Sequence, residues 1–322
     1  MAIQTLQILQ NLYFTSSRLG SNAFSQYQFV NLTAIDILSQ YPVQAEGFLL
    51  DTRPPAQGII PQHPLDRCHD LYFLNTAEHF TTILPHELNE TLLIEAATPY
   101  LGLGSDQRLL ELFEAAHSVM LAVLAAPQNS VILAKHLHPY LEVLLQVFPQ
   151  NLSPRQFRMA IKTLIRITSP PSSISETQPF LPSTILELVR CRLDNASTDP
   201  LHETAGLSSY NGENITEPEF SEQSALVLAL IDGLAYLPVD QLDNWLPIVG
   251  ESLKVVQDTH QLHVCTQRFW QALSGGEMDV ERAAVCATWW STRGGRETVV
   301  DGLDHQQDGP FMSGGLQESS RL

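Results

Sequence analysis

Four stretches of this chain carry residue types at spacings that could do chemistry. His86-Glu87-Leu88-Asn89-Glu90 begins like the HExxH helix of a zinc peptidase, but Glu90 stands where the second histidine belongs. One nitrogen ligand and the paired helix-face geometry are lost with it. His136 and His138, and likewise His263 and Cys265, are two residues apart. On a helix such pairs diverge, so they are poor chelates. Leu273-Ser274-Gly275-Gly276-Glu277 resembles the signature loop of ABC-type ATPases. That loop needs a GxxxxGK[ST] partner to cradle phosphate, and none of the lysines follows a glycine. Its simpler reading is a helix end, closed by glycines, before a new helix start. No GxSxG, GxGxxG or CxxC segment occurs. These residues predict no catalytic set, no metal and no cofactor.

Two other clusters point to binding. The chain ends in Ser320-Arg321-Leu322, a small-basic-leucine pattern of the kind read as a peroxisomal address. A receptor must capture a free carboxylate, a small side chain and an apolar end together. The Gly- and polar-rich stretch from Arg293 predicts a flexible tail that presents them. Trp289 and Trp290 are adjacent, so on a helix they cannot share one face. One is expected in the core and the other near the surface, where tryptophan often anchors partners. Arg293 and Arg296 are expected to cap the carbonyls that end that helix.

Composition narrows the classes further. The formal net charge is −18 and only three lysines occur, Lys135, Lys162 and Lys254. Binding to nucleic acid requires a cationic footprint to displace counterions, and no such footprint exists here. Cys68, Cys191, Cys265 and Cys286 form no close pair and read as free, mostly buried thiols. Five Asn-x-Ser/Thr sequons, at Asn31, Asn89, Asn151, Asn195 and Asn214, matter only on a secretory route. The start MAIQTLQILQ lacks the positive n-region of a signal peptide. The longest apolar runs stop at Pro127 and Asp232. Both fall short of the ~20 residues a membrane span needs. Any membrane association is therefore expected to be peripheral.

The elements that must position these residues read as helices nearly throughout. Leu109, Leu112, Phe113, Ala116, Met120, Val123 and Leu124 recur at three and four, as do Phe157, Ile161, Leu164 and Ile165. Ser153-Pro154 supplies an N-cap and a first-turn proline for the second of these helices. Alternating β-branched runs are absent. The expected fold is all-α, either an irregular armadillo/HEAT-like solenoid or a compact multi-helix domain. Residues 1–194 form an N-terminal helical block with a Pro-rich loop at 42–64. Residues 195–220 read as a flexible polar insert, 221–292 as a C-terminal helical block and 293–322 as the tail.

Leu9-Gln10-Asn11-Leu12-Tyr13-Phe14, the amphipathic helices, Trp289-Trp290 followed by Gly294-Gly295-Arg296, and Ser320-Arg321-Leu322 together resemble the fungal peroxin-8 family. The resemblance implies a non-catalytic scaffold, peripheral on the luminal face of the peroxisomal membrane. There it would link docking-complex and RING-complex peroxins and assist cargo release from the import receptor. The chain is shorter than family members usually are. Some members also carry an N-terminal type-2 address, but Arg18-Leu19 is followed by Ser25 where histidine or glutamine is required, so no second address is assigned. Rival readings are a peroxisomal matrix enzyme with an unrecognised helical active site and a cytosolic helical-repeat adaptor.

Overall fold

The computed structural model describes residues 1–16, 25–55, 58–104, 106–201 and 220–304. The elements run α1 (Ala2–Ser16), α2 (Ser25–Ser39), α3 (Pro42–Thr52), α4 (Pro64–Ala77), α5 (His86–Leu88), a π turn (Asn89–Ile94) and α6 (Glu95–Ala97). They continue with α7 (Leu110–Ala125), α8 (Ser130–Val147), α9 (Pro154–Thr168), α10 (Ser173–Thr177) and α11 (Leu181–Leu193). The last five are α12 (Glu222–Leu234), α13 (Val239–Ser252), α14 (Thr259–Ser274), α15 (Val280–Thr292) and α16 (Gly295–Asp304). Among the described residues the only extended pairing is an isolated bridge between Pro200 and Ser221. The fold is all-α.

Local chemistry starts these helices where the sequence signals it. Ser153 accepts from the Gln156 N–H while the Gln156 side chain accepts from the Ser153 N–H, a reciprocal cap ahead of α9. Pro154 then sits in the first turn, where its missing N–H costs nothing. Phe157, Ala160, Ile161, Leu164, Ile165 and Thr168 of α9 are buried, whereas Arg155 and Arg166 are exposed and Arg158 and Lys162 half-buried. Ser221 and Ser224 close the same kind of box on α12.

Neighbours in the chain pack on one another. α1 lies on α2 and α4, α4 on α7, and α7 on α6, α8 and α9. The array is centred on α12, whose residues are buried all round and which touches α9, α11, α13 and α14. A helix apolar on every side belongs inside a bundle. Beyond it, α13 carries α15 and α16. One continuous apolar core runs from Leu6 to Val299.

Three boundaries expected from sequence are corrected. The loop assigned to 42–64 is helical in its first half, because Pro42 occupies the first turn of α3. Ala45, Phe48, Leu49 and Thr52 recur at three and four, and all are buried. Pro64 likewise starts α4, with the His63 ring accepting from the Leu65 N–H. The tail assigned to 293–322 is helical over α16, and Val299 is buried. The segment 195–220 is no packing boundary. Its ends are pinned together, with the Leu201 N–H donating to the Phe220 carbonyl at 2.8 Å and the Ser197 N–H donating to Glu222 at 3.2 Å. The chain therefore returns to its starting point, and α11 and α12 pack as neighbours across the excursion. Residues 202–219 lie outside the described residues.

Candidate functional site

The tryptophan corner is built by α13, α14, α15 and α16. α15 ends with the Arg293 N–H on the Trp289 carbonyl, and Gly294 adopts the left-handed conformation at φ 78° that suits glycine. This reversal places Gly295 against the Trp289 indole. A Cβ there would lie 2.6 Å from Trp289 Cε3. Trp289 is 3% exposed and meets Phe269 edge-on at 5.9 Å. It is a core residue and offers a partner no surface, which corrects the expectation that it could bind one. The accessible part of the cluster is Trp270, 49% exposed, with the half-buried Trp290 against it at 5.1 Å.

Beside this corner, Val239, Asp240, Asp243, Ala284, Val285, Thr288 and Arg293 line an open cleft of about 390 Å³ between α13 and α15. Arg293 crosses to the Asp243 carboxylate of α13 instead of capping its own helix, and Arg296 is exposed. The cleft thus carries three charged side chains, Asp240 and the paired Asp243 and Arg293.

The other chemistry-bearing residues disperse. Glu90 accepts from His136 at 3.0 Å and from Lys135, which holds its carboxyl below the usual carboxylate range. His138 turns the other way, to Glu142. His263 is exposed while Cys265 is buried, with its Sγ 3.8 Å from the Ser224 carbonyl. Burial pushes the Cys265 thiol up to about 12 and the Cys286 thiol up to about 11. Cys191 is exposed and Cys68 half-buried. Among the described residues no three His, Cys, Asp or Glu side chains converge on a point that could hold a metal ion. Ser274-Gly275-Gly276 ends α14, with Gly276 at φ 75°, and Asp279 caps α15. Asn89 of the second sequon is fully buried and donates to the Thr81 carbonyl at 2.9 Å. Ser320, Arg321 and Leu322 lie outside the described residues, as do Arg18 and Leu19.

Sequence reasoning missed the buried polar clasps. Asp232 on α12 accepts from Arg158 of α9 and from Arg268 of α14, each at 2.8 Å. Glu222 accepts from Arg192, whose guanidinium also donates to the Leu145 and Phe148 carbonyls. His117 is wedged between Tyr140 and the Leu101 carbonyl. The one available signal was Asp232 itself, a lone charge ending the apolar run that starts at Ala225.

Serially packed helices around a single core define an all-α helical-array protein. Residues 45–125 match the family domain described as the PEX8 central TPR-like domain, and residues 131–298 match the PEX8 C-terminal domain. The chain belongs to the peroxin-8 family. It is 29% identical over 92% of its length to the peroxisomal membrane protein PEX17 of Yarrowia lipolytica, covering 47% of that protein. It is 24% identical to peroxisomal biogenesis factor 8 of Komagataella phaffii, over 88% of this chain and 45% of that one. For the Pichia angusta factor of the same name the identity is 27%, over 88% and 44%. The chain thus spans about half the length of the curated relatives it matches. No solved structure matches it.

Proposed function

We propose that this chain is a non-catalytic scaffold of peroxisomal matrix-protein import, acting in peroxisome biogenesis. In this reading it sits peripherally on the luminal face of the membrane. It bridges docking-complex and RING-complex peroxins, and it assists cargo release from the import receptor. The observation that carries the proposal is the match to both peroxin-8 domains, which between them reach from residue 45 to residue 298. Peripheral attachment fits the helices described. No single one is long and apolar enough to cross a membrane, and the α7–α8 pair that has the composition is bent by 83° and turns its buried apolar residues into the core.

Ser320, Arg321 and Leu322 are proposed as the address, with the carboxylate held by polar donors and Leu322 in an apolar pocket of the import receptor. The test uses the full chain tagged at its N-terminus, because a C-terminal tag would mask that end. Recovery of both docking and RING components from isolated peroxisomes supports the bridge, and recovery of neither removes it. Deletion of residues 320–322 is expected to leave the far-UV spectrum unchanged and the protein in the cytosol. Unchanged peroxisomal import of the truncation would refute the address.

A further inference from the structure

α9 carries four basic residues and no acidic one, in a chain with 17 basic residues against 35 acidic ones. Arg158 turns to Asp232 inside the array. The other three, Arg155, Lys162 and Arg166, stand with Met159 at spacings of four, three and four. That spacing puts all four in one line along the helix, about 16 Å long. Arg155 and Arg166 are exposed and Met159 is 56% exposed. Lys162 is half-buried, with its Nζ 5.7 Å from the centre of the Tyr236 ring. Among the described residues none of these three cations has an ion pair, whereas most of the other basic side chains do. Glu277, whose charge Lys162 feels, is already held by both arms of Arg268. The helix dipole accounts for Arg166 in the last turn but disfavours Arg155 in the first. Folding therefore gives no reason for the line.

Charge complementarity names the occupant. Cations left free on a chain of net charge −18 select an anionic surface. A lipid surface presents charge at every point of such a line, so the cations need no matching spacing on the other side. No single described helix is long and apolar enough to cross a membrane, so peripheral attachment falls to a surface of the array. On α9 no acid of the same helix repels headgroups. Met159, in the middle of the line, adds an apolar contact at the headgroup boundary. We propose that the line Arg155, Met159, Lys162 and Arg166 of α9 is the face by which this chain lies on anionic phospholipid headgroups. The proposal rests on the peripheral-membrane part of the proposed function and is independent of the bridging role.

The test is flotation of the full purified chain with vesicles. Phosphatidylcholine vesicles containing about 30% phosphatidylserine should carry it, pure phosphatidylcholine vesicles should not, and added salt should release it. Arg155→Gln with Arg166→Gln should lower the partition coefficient about 30-fold, and Lys162→Gln on top of them about fivefold more. Both arginines are exposed, so the far-UV spectrum and melting temperature of the pair variant should be unchanged. Arg53→Gln with Lys254→Gln removes as much exposed charge from other elements and should change binding less than about threefold. A control pair that weakens binding as much as the α9 pair overturns the proposal, because net charge then explains the attachment. Binding that the α9 variants leave unchanged also overturns it, while the membrane reading stands. Absence of binding to either kind of vesicle overturns it too, and the import reading is then judged separately by recovery of docking and RING components. Binding to isolated peroxisomal membranes that needs the α9 cations but is lost after protease treatment of those membranes overturns it in favour of an acidic protein partner.

Discussion

Replacing Asp232 with alanine should be among the most damaging single changes in the C-terminal part of the array. Its carboxylate is buried and forks between Arg158 and Arg268, tying α9, α12 and α14 together. Hydrogen bonds to charged groups contribute about 1.5–3 kcal/mol each, and the fork has two arms. Both guanidiniums keep some contact with water, at 24% and 16% side-chain exposure. Arg268 also keeps Glu277, at 2.7 Å and 3.0 Å. The lower end of the range therefore applies, a loss of about 3 kcal/mol. For a chain of this size that lowers the melting temperature by about 4 °C. Urea unfolding should be followed by tryptophan fluorescence and far-UV dichroism together. All four tryptophans, Trp245, Trp270, Trp289 and Trp290, lie in the C-terminal part, whereas dichroism reports every helix. Coincident transitions displaced together are expected, because one core runs through both halves. A loss under about 1 kcal/mol would refute the clasp, given what breaking a buried pair costs. A fluorescence transition that moves while the dichroism transition stays would refute the single core.

Three further outcomes follow from individual contacts. Trp289→Ala should cost about 3–5 kcal/mol and Trp270→Ala under about 1 kcal/mol, read by denaturant midpoints, because the first is buried and the second lies half in solvent. Gly295→Ala should cost about 1–3 kcal/mol in the same assay, since its Cβ meets a rigid indole at 2.6 Å. His117 is held neutral, its pKa pushed from 6.5 down to about 4 by burial, with the Leu101 carbonyl opposing only in part. The unfolded chain therefore binds a proton that the folded chain refuses between pH 6.5 and 4, and stability falls as pH drops through that window. About 2 kcal/mol should be gone by pH 5, and His117→Gln should remove that share of the pH dependence in urea titrations at pH 7 and 5.

Much of the fold is legible in the residues. Three- and four-residue spacing marks α7 and α9, and Ser153-Pro154 marks where α9 starts, because caps and stripes are local properties of the chain. Proline is locally ambiguous. Pro42 looks like a break but sits in a first turn, and only the buried Ala45, Phe48 and Leu49 after it decide between the two. The polar stretch after 195 looked like a divider because composition reports solvation but not where a chain returns. The hydrogen bond from Leu201 to Phe220 closes the excursion and leaves α11 against α12.

The candidate sites divide the same way. The sequence by itself established the helical class, the lack of a cationic footprint and the pairing of one inner with one outer tryptophan, since each depends on residue type and helical period alone. Which tryptophan is which, and that Trp270 joins them from α14, depends on the crossing of α14 and α15 and on the turn at Gly294. The Asp232 fork and the His117 wedge join residues 74 and 23 positions apart, and the cationic line of α9 counts as free only once its neighbours are in place. Burial is a property of the assembled array, so tertiary structure alone decided which charges are clasped and which remain free.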